Sequence, residues 1–240
     1  MNLQGKTALV TGGAVRIGAA ICRALAGAGM NVVIHYRSSA AEAERLAEEL
    51  GKLDVGALIV QADLVSEEAC RKLLEEASSV SGGLQVLVNN ASVFHKQSIG
   101  QATAGHLLDE FWPNFLAPVL LMRGFAERCR EGKIVNLLDR RIEGHDIHCA
   151  PYVLSKKALA EATKLAALEF APSIAVNGVA PGAILPPPGK GQDYIRDRAG
   201  PVPLQRQCTP EEVAETVLFL LHNDSVTGQI LFVDGGQNLL

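Results

Sequence analysis

The chain has 240 residues, of which 48% are hydrophobic, enough to form a sizeable buried core in one α/β domain or two small ones. It carries 22 basic and 26 acidic residues, a net charge of −4, and it contains no basic block, so nucleic acid is not an expected partner. No stretch is typical of a membrane-spanning helix, the first predicted strand begins too close to Met1 for a signal peptide, and the five scattered cysteines favour reduced thiols in a cytoplasmic protein.

Short apolar segments alternate with segments of helical periodicity along the whole chain. This alternation predicts a doubly wound α/β fold, in which a seven-stranded parallel sheet is covered by helices on both faces, in one domain of residues 1–240. The long irregular segment 182–207 is interpreted as a loop that closes over a substrate. The predicted strands are Thr7–Val10, Asn31–His35, Ala57–Gln61, Leu84–Val88, Lys133–Leu138, Ile174–Val179 and Gln229–Val233. The predicted helices are Ala19–Ala28, Ala40–Leu50, Ser66–Val80, a stretch from Thr103 to Arg130 with bends at Pro113 and Pro118, Pro151–Phe170, and Pro210–Leu221 with Thr209 as its N-cap.

A glycine-rich turn, Thr11-Gly12-Gly13-Ala14-Val15-Arg16-Ile17-Gly18, follows the first predicted strand. A strand, a glycine turn and a helix in succession are typical of a site where a dinucleotide pyrophosphate rests on a helix N-terminus. Gly12 and Gly13 permit a sharp turn, and Gly18 permits close packing of the helix on the strand. Arg16 adds a positive charge, which favours a cofactor with an extra phosphate or a substrate that needs a cation nearby. A glycine turn without a ligand is the alternative, because the glycines do not follow the G-x-G-x-x-G spacing.

The end of the second predicted strand indicates which nicotinamide dinucleotide binds. An acidic residue there would bind the 2′-hydroxyl of NAD, but the chain continues with Tyr36, Arg37 and Ser38. Arg37 can pair with a 2′-phosphate and Ser38 can donate a hydrogen bond to it, so we expect NADPH rather than NADH. Asp63 follows the third strand and could accept from the adenine amino group, or it could cap the helix near Ser66. A solvated loop residue is the alternative for Arg37.

Tyr152 and Lys156 lie four positions apart in one predicted helix and therefore share a face. A nearby ammonium group stabilises a phenolate and lowers the pKa of a tyrosine from its usual value of about 10. Tyr152 would then be a usable proton donor near neutral pH. Asp139 ends the fifth predicted strand, at the edge of the sheet where ligands bind, and could hydrogen-bond the tyrosine or relay a proton. Taken alone, the pair could equally be a solvated pair on a helix surface.

These motifs together resemble the short-chain dehydrogenase/reductase family. Asn89-Asn90-Ala91-Ser92 follows the fourth strand, Pro181-Gly182 follows the sixth, and all motifs occur in the family's order and spacing as far as Val233-Asp234-Gly235-Gly236. The resemblance implies a Rossmann-type NADP-binding domain in which Tyr152 is the proton donor, Lys156 binds the nicotinamide ribose, and Asn114 holds a water in a proton relay. The cofactor contacts that it implies are Gly12, Arg16, Ile17, Gly18, His35, Tyr36, Arg37, Ser38, Asp63, Leu64, Asn90, Ala91, Ser92, Tyr152, Lys156, Pro181 and Gly182.

Four short segments are similar to the pteridine reductase branch of this family. Arg16 replaces the family's usual glycine and Asp139 replaces its usual serine; a carboxylate suits a ring that must receive a proton at nitrogen. The segments His35-Tyr36-Arg37-Ser38 and Ala91-Ser92-Val93-Phe94 also resemble that branch, in which the phenylalanine stacks on the pterin. Ordinary packing under a loop is the alternative for Phe94. The substrate site that the branch implies consists of Arg16, Ser92, Phe94, Asp139 and Tyr152.

We therefore expect an NADPH-dependent oxidoreductase that transfers a hydride to a dihydropterin, biopterin or dihydrofolate-like ring. A reductase of 3-oxoacyl thioesters or other ketones shares the fold, the cofactor and the Tyr-Lys pair and remains open, as does, more distantly, a non-catalytic NADPH-binding regulator. Long apolar helices near 112–130 and 151–170, with the family resemblance, suggest a homodimer or homotetramer. No metal site is expected at His145 and His148, because no third ligand is placed. The residues without an assigned role are Arg140, Arg141, His145, His148 and Cys149.

Overall fold

Seven parallel strands form one sheet in the computed structural model, which describes residues 1–80, 82–186, 189, 193 and 202–240. Their order is β3-β2-β1-β4-β5-β6-β7, and every adjacent pair is parallel. The order reverses between β1 and β4, so a crevice opens at the carboxyl ends of the central strands. All seven predicted strands are confirmed. They are β1 Thr7–Val10, β2 Asn31–Tyr36, β3 Ala57–Gln61, β4 Val86–Asn89, β5 Gly132–Leu137, β6 Ile174–Pro181 and β7 Ile230–Val233.

The described part of the chain contains seven α-helices, and all of them except α4 cover the two faces of the sheet. Each face has its own hydrophobic cluster. Ile21, Leu46 and Val213 bring α1, α2 and α7 onto one face, while Leu73 and Phe125 belong to the cluster on the other face. Fully buried strands of a parallel sheet require apolar cover on both sides, which explains their continuous apolar sequences. The helices are α1 Arg16–Gly27, α2 Ala40–Gly51, α3 Glu67–Ser78, α4 Ala104–Phe111, α5 Ala117–Arg128, α6 Ala150–Glu169 and α7 Pro210–His222.

The helix ends follow local chemistry. Thr209 caps α7 as predicted, because its side chain accepts from the backbone N–H of Glu212. Ser66 caps α3 by accepting from Ala69, so the alternative that Asp63 caps this helix is wrong. No helix in the described ranges is long and apolar enough to cross a membrane.

The predicted bend of the 103–130 region is a π-helical turn, Trp112–Leu116, between α4 and α5. Its widened hydrogen bond runs from the backbone N–H of Ala117 to the carbonyl of Trp112. Pro113 lies inside this turn and has no N–H to donate, which favours a break in the regular ladder. Single π-turns within helices are frequent at functional sites, and this one carries Asn114.

Half of the segment 182–207, predicted to close over a substrate, lies outside the described residues. Side chains of Arg16 and Gln207 hold its described beginning. Arg16 of the glycine turn donates to the carbonyls of Leu185, at 3.2 Å, and Pro186, at 2.9 Å. Gln207 donates to the carbonyl of Ala183, at 3.2 Å. The segment that leaves β6 is therefore tied to the start of α1.

Candidate active site

The glycine turn between β1 and α1 is packed so closely that side chains are excluded. A Cβ atom on Gly12, whose φ is +60°, would lie 3.0 Å from Cα of Ala91. A Cβ atom on Gly18 would lie 2.7 Å from Nδ2 of Asn90 and would collide with the carbonyl oxygen of Gly12. The tight packing predicted for Gly18 is therefore present. It brings the turn, the first turn of α1 and the end of β4 into direct contact.

The N-terminus of α1 is arranged as an anion acceptor. Val15 occupies the N-cap position and provides no side-chain hydrogen bond, and the first turn contains no acidic residue. Free N–H groups at the start of a helix and the helix dipole both favour a negatively charged group. Arg16 begins the helix with a φ of +56°, a left-handed conformation that favours glycine. Its guanidinium is directed to the carbonyls of Leu185 and Pro186.

The side chains of His35 and Asn90 form hydrogen bonds with the backbone of the glycine turn. The His35 ring is 2% exposed; its Nδ1 accepts from the N–H of Gly12 at 3.0 Å, and its Nε2 is 3.1 Å from the carbonyl of Ala62. These contacts assign the proton to Nε2. Burial lowers the pKa of the imidazole, which keeps the ring neutral and Nδ1 free to accept. The Asn90 amide donates to the carbonyls of Thr11 and Gly12, at 2.8 and 3.0 Å. His35 and Asn90 thus shape the turn through its backbone.

The remaining residues of the predicted cofactor site surround this turn. Arg37 and Ser38 are exposed immediately after β2, and Asp63 is exposed after β3, beside the buried Leu64. Pro181 ends β6, and Gly182 follows it so closely against β7 that a Cβ would lie 2.9 Å from Asp234. Tyr36 and Ile17 are half-buried, and the backbone N–H of Ala91 donates to Thr11 Oγ1 at 3.0 Å. The carboxyl ends of β1, β2, β3, β4 and β6 therefore bring these residues to one edge of the sheet.

Tyr152, near the start of α6, donates a hydrogen bond of 2.9 Å from its phenol to Oδ2 of Asp139, which follows β5. Burial raises the pKa of the Tyr152 phenol well above its ordinary value, and the charge and hydrogen bond of Asp139 raise it further. The expected lowering of this pKa by Lys156 is therefore wrong for this structure. The phenol is held as a protonated donor that faces a carboxylate.

Lys156 lies one helical turn from Tyr152 and is 2% exposed. Its ammonium donates to the carbonyl of Leu137, at 2.8 Å. Burial lowers the pKa of Lys156 to about 8, while the negative charges of Asp139 and Glu110 oppose that shift. Lys156 is therefore a buried group whose charge changes close to physiological pH.

Phe94 and Arg141 form the exposed wall of the site. The Phe94 ring is 45% exposed and meets the Tyr152 ring edge to face, with 4.9 Å between centroids and an interplanar angle of 81°. This exposure argues against ordinary packing under a loop. The Arg141 guanidinium lies 5.6 Å from the Phe94 centroid, 3.1 Å from Oδ2 of Asp139 and 3.0 Å from Oδ2 of Asp146. Burial lowers the pKa of Arg141, but the negative charge of Asp139 and smaller contributions from Cys149, Tyr152 and the hydrogen bond to Asp146 together raise it, so the guanidinium is a fixed cation.

Asn114 lies in the π-turn, is fully buried, and joins α4, α6 and the segment after β4. Its Oδ1 accepts from the Ser92 hydroxyl and the Val93 N–H, both at 2.9 Å. Its Nδ2 donates to Oε2 of Glu110 at 2.8 Å and is 3.2 Å from Oγ of Ser155. The amide therefore positions the segment that precedes Phe94.

Two residues of this site, Glu110 and Arg141, were missed by sequence reasoning. Arg141 had a usable signal, because it lies two residues after Asp139 and follows the carboxyl end of β5. Glu110 had only a weak one: it lies four residues before Asn114 and is a carboxylate in an apolar helix. Of the other unassigned residues, Cys149 is buried, and Arg140, His145 and His148 form no side-chain hydrogen bond or ion pair with Tyr152 or Asp139 in the described part of the chain.

Known reductases are similar to this chain over almost its whole length. A family profile described as enoyl-(acyl carrier protein) reductase matches residues 13–238. Pteridine reductase 1 of Leishmania tarentolae is 34% identical, over 97% of this chain and 96% of that protein. A 3-oxoacyl-(acyl-carrier-protein) reductase of Aquifex aeolicus is 33% identical, over 99% of both. A crystal structure of FolM alternative dihydrofolate reductase 1 from Brucella canis, complexed with NADP, has a TM-score of 0.94 and 35% identity, over 100% of this chain and 96% of that one.

Proposed function

The chain belongs to the short-chain dehydrogenase/reductase family, a family of NAD(P)-dependent oxidoreductases, and on this premise we propose that it is an NADPH-dependent reductase of a pterin-like ring. The substrate class is a dihydropterin, biopterin or dihydrofolate-like compound. One observation carries the proposal: the Asp139 carboxylate accepts from the Tyr152 phenol directly beside the exposed ring of Phe94. A flat heterocycle with a ring nitrogen to be protonated suits an aromatic face next to an acidic pair.

The residues present fit a phosphorylated dinucleotide. The glycine turn has no room for side chains, and the α1 N-terminus has neither a side-chain cap nor an acidic residue. Arg37 and Ser38 would hold the 2′-phosphate, since both are exposed at the end of β2. Similarity to a protein crystallised with NADP supports the same assignment. The cofactor, when bound, supplies a hydride from its reduced nicotinamide ring.

We assign the proton chemistry to this chain's own residues. Phe94 presents one exposed face on which a substrate ring can stack. Tyr152 carries the proton, since its phenol is protonated at neutral pH and lies beside the exposed ring of Phe94. Its raised pKa makes it a weak acid, so the proton is transferred only to a ring nitrogen made strongly basic by hydride addition to the C=N bond. Asp139 orients that phenol and accepts its hydrogen bond, and Arg141 balances the charge of the carboxylate. Lys156, whose pKa is about 8, provides a buried cation one helical turn away.

Reduction of a 3-oxoacyl thioester is the second candidate. It is supported by the 33% identity to the Aquifex aeolicus 3-oxoacyl reductase. The carboxylate at Asp139 disfavours it, because a ketone oxygen is served by a neutral hydroxyl, and an ionised acid beside a developing alkoxide is repulsive. A non-catalytic NADPH-binding regulator is disfavoured by the assembled Tyr152, Lys156 and Asp139.

The decisive experiment compares substrates on the purified protein. NADPH oxidation is followed at equal concentrations of a dihydropterin, dihydrofolate and an acetoacetyl thioester. We expect kcat/KM for a pterin or folate substrate to exceed that for the thioester at least tenfold. The opposite order would favour the ketone reductase, and no turnover with any of them would favour the regulator.

A homodimer or homotetramer remains a prediction. It is supported by three exposed leucines of α6, Leu154, Leu165 and Leu168, whose exposed fractions are 45, 65 and 80%. Exposed apolar side chains on one helix favour association with a second copy. Sedimentation equilibrium of the wild type measures the state directly. Location in the cytoplasm likewise remains a prediction.

A further inference from the structure

The helix α4, all of which the structure describes, buries one residue, and that residue is a carboxylate. Glu110 is 2% exposed, whereas residues 104–109 of the same helix are exposed. Buried carboxylates are costly unless hydrogen bonds satisfy them. The partners of Glu110 therefore indicate what its charge does.

Both oxygens of Glu110 are used, and both lead to the segment that carries Phe94. Oε1 accepts from the backbone N–H of His95 at 2.6 Å and lies 3.0 Å from Nδ1 of the same residue. Oε2 accepts from Nδ2 of Asn114 at 2.8 Å, and Oδ1 of Asn114 in turn accepts from Ser92 and Val93. The segment is thus anchored on both sides of Phe94.

We propose that Glu110 is a positioning residue that sets Phe94 against Tyr152 for the substrate ring. The inference rests on the proposed function, because it assigns Phe94 the task of stacking on a flat substrate. Two geometric observations support it: Glu110 holds the backbone N–H of His95, immediately after Phe94, and the ring centroids of Phe94 and Tyr152 lie 4.9 Å apart.

The charge of Glu110 also affects the nearby titratable groups. The titratable groups that face Glu110 are His95, from the segment after β4, and Lys156, from α6. Burial raises the pKa of Glu110, and the bonds from His95 and Asn114 oppose that rise. Lys156 faces two carboxylates, Asp139 and Glu110, which counter its desolvation. Loss of the Glu110 charge would therefore move the deprotonation of Lys156 to lower pH.

Glu110 lowers the stability of the fold when it is ionised, although it helps to position the segment that carries Phe94. Because the folded-state pKa of Glu110 is raised, the group favours the folded state below its unfolded pKa, and this contribution is lost as pH rises through the folded value. Once ionised, the buried carboxylate therefore costs stability. Glu110→Gln removes that cost but places an amide N–H against the donors of His95 or Asn114. A purely structural role would be measured as stability alone, whereas positioning is measured in KM and in the pH profile.

The test compares Glu110→Gln with Asp109→Asn, which removes an adjacent, exposed carboxylate of the same helix. For Glu110→Gln we expect KM for the pterin substrate to rise about tenfold, the equivalent of one lost hydrogen bond, with KM for NADPH within twofold of the wild type. The basic limb of its pH profile should move to lower pH. Hydrogen exchange of the His95 amide, measured by NMR in the NADP-bound protein, should become about tenfold faster. Asp109→Asn should change none of these.

Unchanged amide exchange at His95, or an unchanged substrate KM and basic limb, would overturn the inference. If the wild type reduces no pterin, the proposed function fails, and the exchange measurement still decides whether Glu110 fixes the segment. His95→Ala is the second variant, for use if Glu110→Gln folds poorly. It keeps the backbone N–H contact and loses only the ring contact, so we expect a rise in substrate KM of about threefold. Wild-type values in that folded variant would count against the ring's part in the anchor.

Discussion

The phenol oxygen of Tyr152 lies 2.9 Å from Oδ2 of Asp139, and that carboxylate is also 3.1 Å from the guanidinium of Arg141. A proton donor, an acceptor and a fixed cation therefore share one point at the carboxyl end of β5. Family resemblance puts a serine where this chain has Asp139. With serine the tyrosine would face a neutral hydroxyl, whereas in this chain Tyr152 faces a carboxylate. Exchanging Asp139 for serine therefore tests which class of substrate the site accepts.

Asp139→Ser should lower kcat/KM for a pterin substrate by about 10²-fold, because the variant loses the acceptor that orients the phenol. Activity on an acetoacetyl thioester should be unchanged or higher. The matched control is Asp146→Asn, which removes the second carboxylate of Arg141 and leaves the Tyr152 contact in place. Steady-state kinetics with both substrates make the measurement. Equal losses on the two substrates would contradict the assignment of Asp139 to ring protonation.

Tyr152→Phe should reduce turnover by about 10³-fold, since the variant keeps the ring contact with Phe94 but has no proton to give. NADPH binding, measured by fluorescence titration, should stay within threefold of the wild type, and the circular dichroism spectrum should be unchanged. Retention of wild-type turnover by the phenyl variant would refute the assigned chemistry.

Arg37→Gln tests the cofactor choice. A charge-assisted hydrogen bond contributes about 1.5–3 kcal/mol, so the Kd for NADPH should rise at least tenfold while the Kd for NADH changes less than twofold. Arg45→Gln is the control, because Arg45 is an exposed cation of α2 whose side chain is 70% exposed. Equal weakening of NADPH and NADH binding would show that Arg37 does not contact the 2′-phosphate.

The pKa of about 8 for Lys156 predicts a basic limb in kcat/KM, which reports the free enzyme. Below that pH the ammonium is charged; as pH rises through about 8 the charge is lost, and kcat/KM should fall. Because the folded pKa lies below the ordinary 10.5, Lys156 favours the folded state at high pH, and this contribution is lost as pH falls through about 8.

Lys156→Met should therefore lose activity without losing stability at pH 6.5. Urea unfolding at pH 6.5 and 9 measures the free energy of unfolding of both proteins. A variant markedly less stable than the wild type at pH 6.5 would contradict the desolvation argument, and so would a kcat/KM that stays flat up to pH 9.5.

Gly18→Ala tests the packing of the glycine turn. The new Cβ would meet the Gly12 carbonyl and lie 2.7 Å from Nδ2 of Asn90, so we expect a loss of about 1–3 kcal/mol in unfolding free energy and weaker NADPH binding. Gly27→Ala, in the same helix, meets nothing within 4 Å and should gain up to about 1 kcal/mol. Thermal denaturation of the pair gives the comparison. Equal stability of the two variants would show that the turn tolerates a side chain.

The strands and most helices could be predicted because their signals are local. Apolar runs bounded by glycine and polar residues predict buried strands, and all seven were found within two residues of their predicted ends. Helix α1 begins three residues before its predicted start, at Arg16, because the N–H of Ala19 donates to the carbonyl of Val15. Arg16 has a φ of +56° although it is not glycine. Local propensity does not predict that conformation. The surrounding packing determines it.

The sequence by itself determined the family, the sheet, and the set of side chains that meet at its carboxyl edge, because spacing along a strand or helix decides which face a residue occupies. Only the tertiary structure decided how those side chains are connected. The proton position on His35, the Arg141 cation beside Phe94, the anchoring of His95 by Glu110 and the raised pKa of Tyr152 all depend on burial and on contacts between separate elements. Burial depends on the whole packed chain, so spacing alone could not predict these features.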